Sequence, residues 1–174
     1  PTILPNNPLS TAGSTTVTVN DPNHGRSTGD AVRFRSVISY VGGVSPIIFM
    51  LETTLASDLT DSATTLTLSD ASAFPTSGYI VVNPGANDSE TIKYTGKSSN
   101  DLTGLTRGSS APTYNLTPLV TTASAHSSGV QVRGSYSITK VDADSYTFTL
   151  ASAASTTETG GGFPIFAGPV NARA

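Results

Sequence analysis

Cysteine and tryptophan are absent from the 174 residues, methionine occurs once, and only 12% of positions are charged. Without cysteine there is no disulfide, thiolate nucleophile or cysteine-based metal site, so the fold must rest on core packing or on assembly with other subunits. The nine Lys and Arg are dispersed and outnumbered by twelve Asp and Glu. That leaves no basic face to neutralise a phosphate backbone, and direct nucleic-acid binding is not expected. No apolar run approaches the ~20 residues that span a bilayer, so no membrane partner is expected. The opening Pro1-Thr2-Ile3-Leu4-Pro5 lacks the charged start and apolar stretch of a signal peptide. Export is therefore expected by another route, such as lysis that frees an assembled particle, or processing of a longer chain.

What is present points to strands. Hydrophobic residues make up 36% of the chain, and Thr and Ser alternate with Val, Ile, Leu, Tyr and Phe through most of it. β-Branched and aromatic side chains fit a pleated, half-buried surface. Sixteen Gly and eleven Pro supply the corners that many short strands need. An all-β fold is expected, with room for one domain or two small ones.

Residues 1–14, rich in Pro, Asn, Ser and Gly, read as an extended arm without a core of its own. Thr15–Val19 and Asp30–Phe34 read as two strands of a hairpin whose long loop contains Asn20-Asp21-Pro22-Asn23-His24-Gly25. The apolar stretch ending in Ile47–Leu51 reads as a buried strand, and a short helix is a weaker alternative for 53–61. Further strands are expected at 65–68, 78–82, 90–95, 102–107 and 129–133. The strongest hairpin is Ser135–Val141 with Ser145–Leu150, where Tyr146, Phe148 and Leu150 share one face by the period of two. The tail, 163–174, is apolar without helical spacing and is expected to dock on a partner.

Candidate chemistry is sparse. His24 and His126 are the natural acid–base suspects, yet each sits in turn-like sequence leading into a strand, so both are read as hydrogen-bonded turn residues. Asp142 and Asp144 flank one residue of a hairpin turn, and Asp58 and Asp61 form a similar pair. Too few oxygen ligands gather at either for a calcium loop, and Asx-type turn bonds explain them. Gly42-Gly43 and Gly160-Gly161-Gly162 lack the Lys-Ser and strand–loop–helix context of a phosphate cradle and read as flexible joints. The sequons at Asn87 and Asn115 arise easily by chance in so Ser- and Thr-rich a chain. No catalytic residue, cofactor or metal is expected.

Two phrases resemble structural proteins of tailed bacteriophages. The first is Thr15–Val19, His24-Gly25 and Thr28–Phe34. The second is Phe74–Val82, Glu90–Gly96, Leu102–Gly108, Ala125-His126 and Gly129–Val132, similar to small β-modules of tail and baseplate-type proteins. The closing hairpin and the Ser/Thr/Gly stretch to Gly162 resemble the usual continuation of the first phrase. The resemblance therefore implies a small β-sandwich or barrel outer domain, 15–45 plus 135–162, interrupted by an inserted β-meander or barrel-like module, 46–134. It also implies a non-enzymatic virion protein of the tail or neck, assembled in the host cytoplasm and extracellular in the particle, whose partners are copies of itself and other virion proteins. A capsid decoration protein, or an appendage that binds a host-surface glycan, is the alternative. Ile3 and Leu4 of the arm and Phe163, Ile165, Phe166 and Val170 of the tail are the expected interface residues.

Overall fold

The computed structural model describes residues 2–113 and 121–170. The fold is all-β, with one short helix among the described residues. In chain order the strands are β1 (Thr2–Ile3), β2 (Leu9–Ala12), β3 (Thr16–Asn20) and β4 (Ala31–Arg35), followed by α1 (Pro46–Met50). Next come β5 (Glu52–Thr54), β6 (Thr65–Thr67), β7 (Gly78–Val82), β8 (Glu90–Tyr94), β9 (Gly96–Ser98), β10 (Asp101–Thr103) and β11 (Thr106–Ser109). The chain ends with β12 (Gln131–Gly134), β13 (Tyr136–Ser137), β14 (Thr139–Asp142), β15 (Ser145–Thr149), β16 (Thr157–Gly160) and β17 (Phe166–Gly168).

Both ends of the chain build a sandwich. One sheet runs β1-β17-β4-β13 and the other β14-β15-β3-β2-β16, with antiparallel pairing throughout. Alternation decides which side chains turn inward: Val17 and Val19 on β3, and Tyr146 and Phe148 on β15, are buried between exposed or half-buried neighbours. Phe148 stands where the sheets meet. Its ring lies 4.3 Å from that of Tyr136 and 5.3 Å from that of Phe34, both on the facing sheet, and Phe49 of α1 approaches it edge-on at 6.4 Å.

The middle of the chain closes into a small barrel. The sheet β11-β8-β7-β12-β5 is joined to the sheet β6-β10-β9 by the Leu55–Leu68 bridge, and β9 continues β8 after Thr95. Tracing β8-β7-β12-β5-β6-β10-β9 therefore returns to its starting strand, which removes most open edges. Leu55, Leu66, Leu68, Ile80, Val82, Ile92, Tyr94, Leu102 and Val132 are buried in this unit. Among the described residues its strands pair only with one another. The apolar core nevertheless runs on without a break into the sandwich.

Four local expectations are corrected. Thr16–Asn20 and Ala31–Arg35 are not a hairpin: β3 pairs with β2 and β15, whereas β4 lies in the other sheet between β13 and β17. Residues 46–50 are helical rather than a strand. Pro46, which lacks an N–H, fits the first helical turn, and Leu51 ends it in the left-handed conformation, its N–H bonded to the Ile47 carbonyl. The N-terminal segment is no free arm, because it supplies β1 and β2, and Leu4 and Leu9 are buried. The glycine pairs are tight turns, not flexible joints. Gly42 (φ +57°) abuts the Thr11 hydroxyl and the Thr156 carbonyl, and Gly162 (φ +95°) abuts Ile38, so a β-carbon at either would collide.

Candidate interaction surface

Of the residues expected at an interface, three are already used inside the chain. Leu4, Ile165 and Val170 are buried: Leu4 N–H bonds the Ile165 carbonyl at 2.8 Å, and Val170 packs with Ala31, Val81 and Ala111. Their apolar character reflects docking of the two chain ends on their own body. Phe166 is half-buried, paired with Ile3 in the β1–β17 register, with the Arg35 guanidinium over its ring at 5.1 Å. Residues 171–174 of the expected tail, and the Asn115 sequon, lie outside the described residues.

Ile3 and Phe163 remain exposed, at 58% and 55%. Two further large apolar residues are exposed, Ile38 at 68% and Tyr40 at 64%, which no sequence signal marks. The Ile38 N–H bonds the Gly161 carbonyl at 3.1 Å and its side chain lies against Gly162, the neighbour of Phe163. The loop after β4, which carries Ile38 and Tyr40, thus adjoins the return before β17, which carries Phe163. Single exposed apolar residues are ordinary, but a group of large ones on two adjoining loops marks a contact surface. A second open edge is β14, exposed along its length, with Val141 at 59%.

Both histidines are anchored and buried. In the sandwich, His24 Nδ1 accepts from Arg26 N–H at 2.9 Å, which leaves Nε2 to donate to the carbonyls of Asp142 and Ser145 at 2.8 and 3.2 Å. Beside it, buried Asp21 accepts from the Tyr146 hydroxyl at 2.9 Å and faces Arg26 Nε at 3.4 Å. Burial, with Asp21 next to it, pushes the Tyr146 hydroxyl pKa up. The turn at 21–26 thereby clamps the 142–145 turn. The Asp142 carboxylate makes the local turn bonds expected of it, accepting from Asp144 N–H and the Ser145 hydroxyl. Asp144 and Asp58 instead tie distant segments together, accepting from Asn23 N–H and Ser128 N–H.

In the barrel, Glu90 at the start of β8 is fully buried and receives five donors. Arg107 Nε and Gly108 N–H reach Oε2 at 2.8 and 2.9 Å. Arg107 Nη2, Ser124 N–H and His126 Nε2 reach Oε1 at 2.9, 3.1 and 2.9 Å. Arg107 also caps the carbonyls of Thr60, Ala63 and Ser124. Burial alone would raise the carboxyl pKa, but the donors from His126, Arg107, Gly108 and Ser124 outweigh it and hold Glu90 down at about 2. The arrangement ties the 59–63 and 121–126 segments to the barrel wall.

A carboxyl depressed from 4.5 to about 2 stabilises the fold fully above pH ~4.5 and loses that contribution as pH falls towards ~2. Linkage sets the size on the order of 3 kcal/mol. Wild-type stability, followed by urea unfolding, is expected to fall through this window, with a Glu90→Gln variant showing a flatter profile; equal slopes would contradict it.

Comparison with protein-family models, with curated proteins and with solved structures gives no match.

Proposed function

We propose that this chain is a non-enzymatic structural subunit of a tailed-bacteriophage virion, in the tail or neck, acting through repeated contacts with copies of itself and with other virion proteins. The observation that carries the reading is the exposure of Ile38, Tyr40 and Phe163 on two adjoining loops pinned by backbone bonds. A rigid apolar surface favours a packed partner, because little conformational freedom is lost when it docks. The charged side chains of Asp21, Arg26, Glu90 and Arg107 face inward, and with only 12% of positions charged much of the remaining polar surface is Ser and Thr. The resemblance of the two strand-and-turn phrases to phage tail and baseplate-type proteins points the same way.

Replacing Ile38 and Phe163 with Ser removes mainly exposed apolar area, so the thermal midpoint is expected to stay within about 2 °C of wild type. Incorporation into particles, read by quantitative mass spectrometry of purified virions from cells that make the variant, is expected to fall at least about tenfold. A folded variant incorporated at the wild-type level would overturn the assignment of this surface.

A further inference from the structure

Arg26 and Arg107 each reach a buried carboxylate of their own, but Arg33 and Arg133 share a partly exposed one, Glu52, at longer range. Arg33 lies on β4, on the face opposite Phe34, where the barrel covers the sheet, and its side chain is 8% exposed. Its Nη2 stands 3.7 Å from Glu52 Oε1, too far for a hydrogen bond, and its Nε has no partner. Arg133, the cross-strand neighbour of Glu52 in the β12–β5 pair, brings its own unpartnered Nε to 3.9 Å from the same oxygen. Arg35, two residues along β4, adds a third positive charge whose field reaches Arg33. Burial first, then the charge of Arg133, pushes the Arg33 guanidinium down to about 10.

Nearly buried N–H donors without acceptors are rare in a folded chain, since each forfeits its hydration. Here two belong to guanidinium groups that converge on one place. Two arginines against a single glutamate, with the field of Arg35 added, leave that place short of negative charge. Arg133 and Glu52 are 27% and 33% exposed, so the cluster opens to solvent on their side, with Arg33 as its floor. A guanidinium offers a planar fork of donors that matches the oxygens of a carboxylate or a phosphate.

We propose that Arg33 and Arg133 form a binding site for one small oxyanion, carboxylate or phosphate in type, at the seam between sandwich and barrel. Glu52 competes with the ligand for the two arginines rather than helping to hold it. The site stands independently of the virion assignment.

The test is titration of the full chain with inorganic phosphate and, separately, acetate, at ionic strength held constant with chloride, followed by calorimetry and thermal shift. Saturable one-to-one binding of at least one anion is expected. Arg133→Gln, at a half-exposed position that spares the fold, is expected to weaken it by roughly tenfold or more. Glu52→Gln is expected to tighten it by about threefold or more, through loss of the competing charge. Response to phosphate alone or to acetate alone would identify the ligand type. No saturable response to either anion, or R133Q binding as wild type does, would overturn the proposal.

Discussion

Replacing Glu90 by Gln is expected to destabilise the chain by roughly 3–5 kcal/mol, the cost of breaking a buried ion pair by removing one partner. The amide keeps the size of the carboxyl but has one acceptor oxygen in place of two. Whichever way it turns, its NH2 group meets donors: Arg107 Nε and Gly108 N–H on one side, or Arg107 Nη2, Ser124 N–H and His126 Nε2 on the other. The Arg107 guanidinium would remain buried without a counter-charge. For a chain of this length the thermal midpoint should drop on the order of 10 °C. The double replacement Glu90→Leu with Arg107→Met, which removes both charges, is expected to recover part of the loss, because an apolar pair needs no desolvation. A midpoint within about 2 °C of wild type for Glu90→Gln would show that the buried pair does not hold the barrel end.

Phe148→Ala is expected to cost a similar amount, roughly 3–5 kcal/mol, for a different reason. The ring touches Phe34 and Tyr136 across the sandwich and Phe49 of α1, so truncation opens a cavity bounded by three other rings and a helix. That cavity has little means of closing. The Tyr136 hydroxyl is tied to the Ile48 carbonyl at 2.7 Å, and the two sheets are fixed by their own ladders. Phe148→Leu fills most of the space and is expected to lose roughly half as much. Equilibrium unfolding in urea checks both. A loss under about 1 kcal/mol for the alanine variant would place the centre of the core elsewhere.

The contrast between these two sites shows what the sequence made legible. Alternation alone puts Phe148 on the inner face, because Tyr146, Phe148 and Leu150 recur at period two between threonines. The same period places Glu90 with Ile92 and Tyr94, so a carboxylate on a core face was a readable sign of a buried charge needing a partner. The identity of that partner was not readable. Arg107 comes from β11, and Ser124 and His126 from a segment whose placement depends on the barrel's closure. Arg33 illustrates the limit further. In Ala31-Val32-Arg33-Phe34-Arg35 the arginines alternate with the core residues as solvent-facing ones do, and only the barrel lying over that face buries Arg33.

The chain ends were misjudged for a related reason. Pro, Asn and Gly in 1–14 speak for turns, but they say nothing of the long-range ladders in which β2 pairs with β16 and β1 with β17, some 150 residues away. Non-local pairing leaves its mark in which residues are apolar, not in where their partners lie. Apolar character alone therefore suggests that Leu4, Ile165 and Val170 face a neighbour, whereas they face their own core. Ile38 and Tyr40 escaped notice because they lie in a stretch whose Val37, Val41 and Val44 are buried, and composition does not separate the two kinds of position.

The subunit reading is tested most directly by cryo-electron microscopy of the native particle from cells that make this chain. Density for it is expected in many symmetric copies in the tail or neck, with Ile38, Tyr40 and Phe163 covered by a neighbouring subunit. Absence of the chain from every particle class, or its presence with that surface bare to solvent, would contradict it.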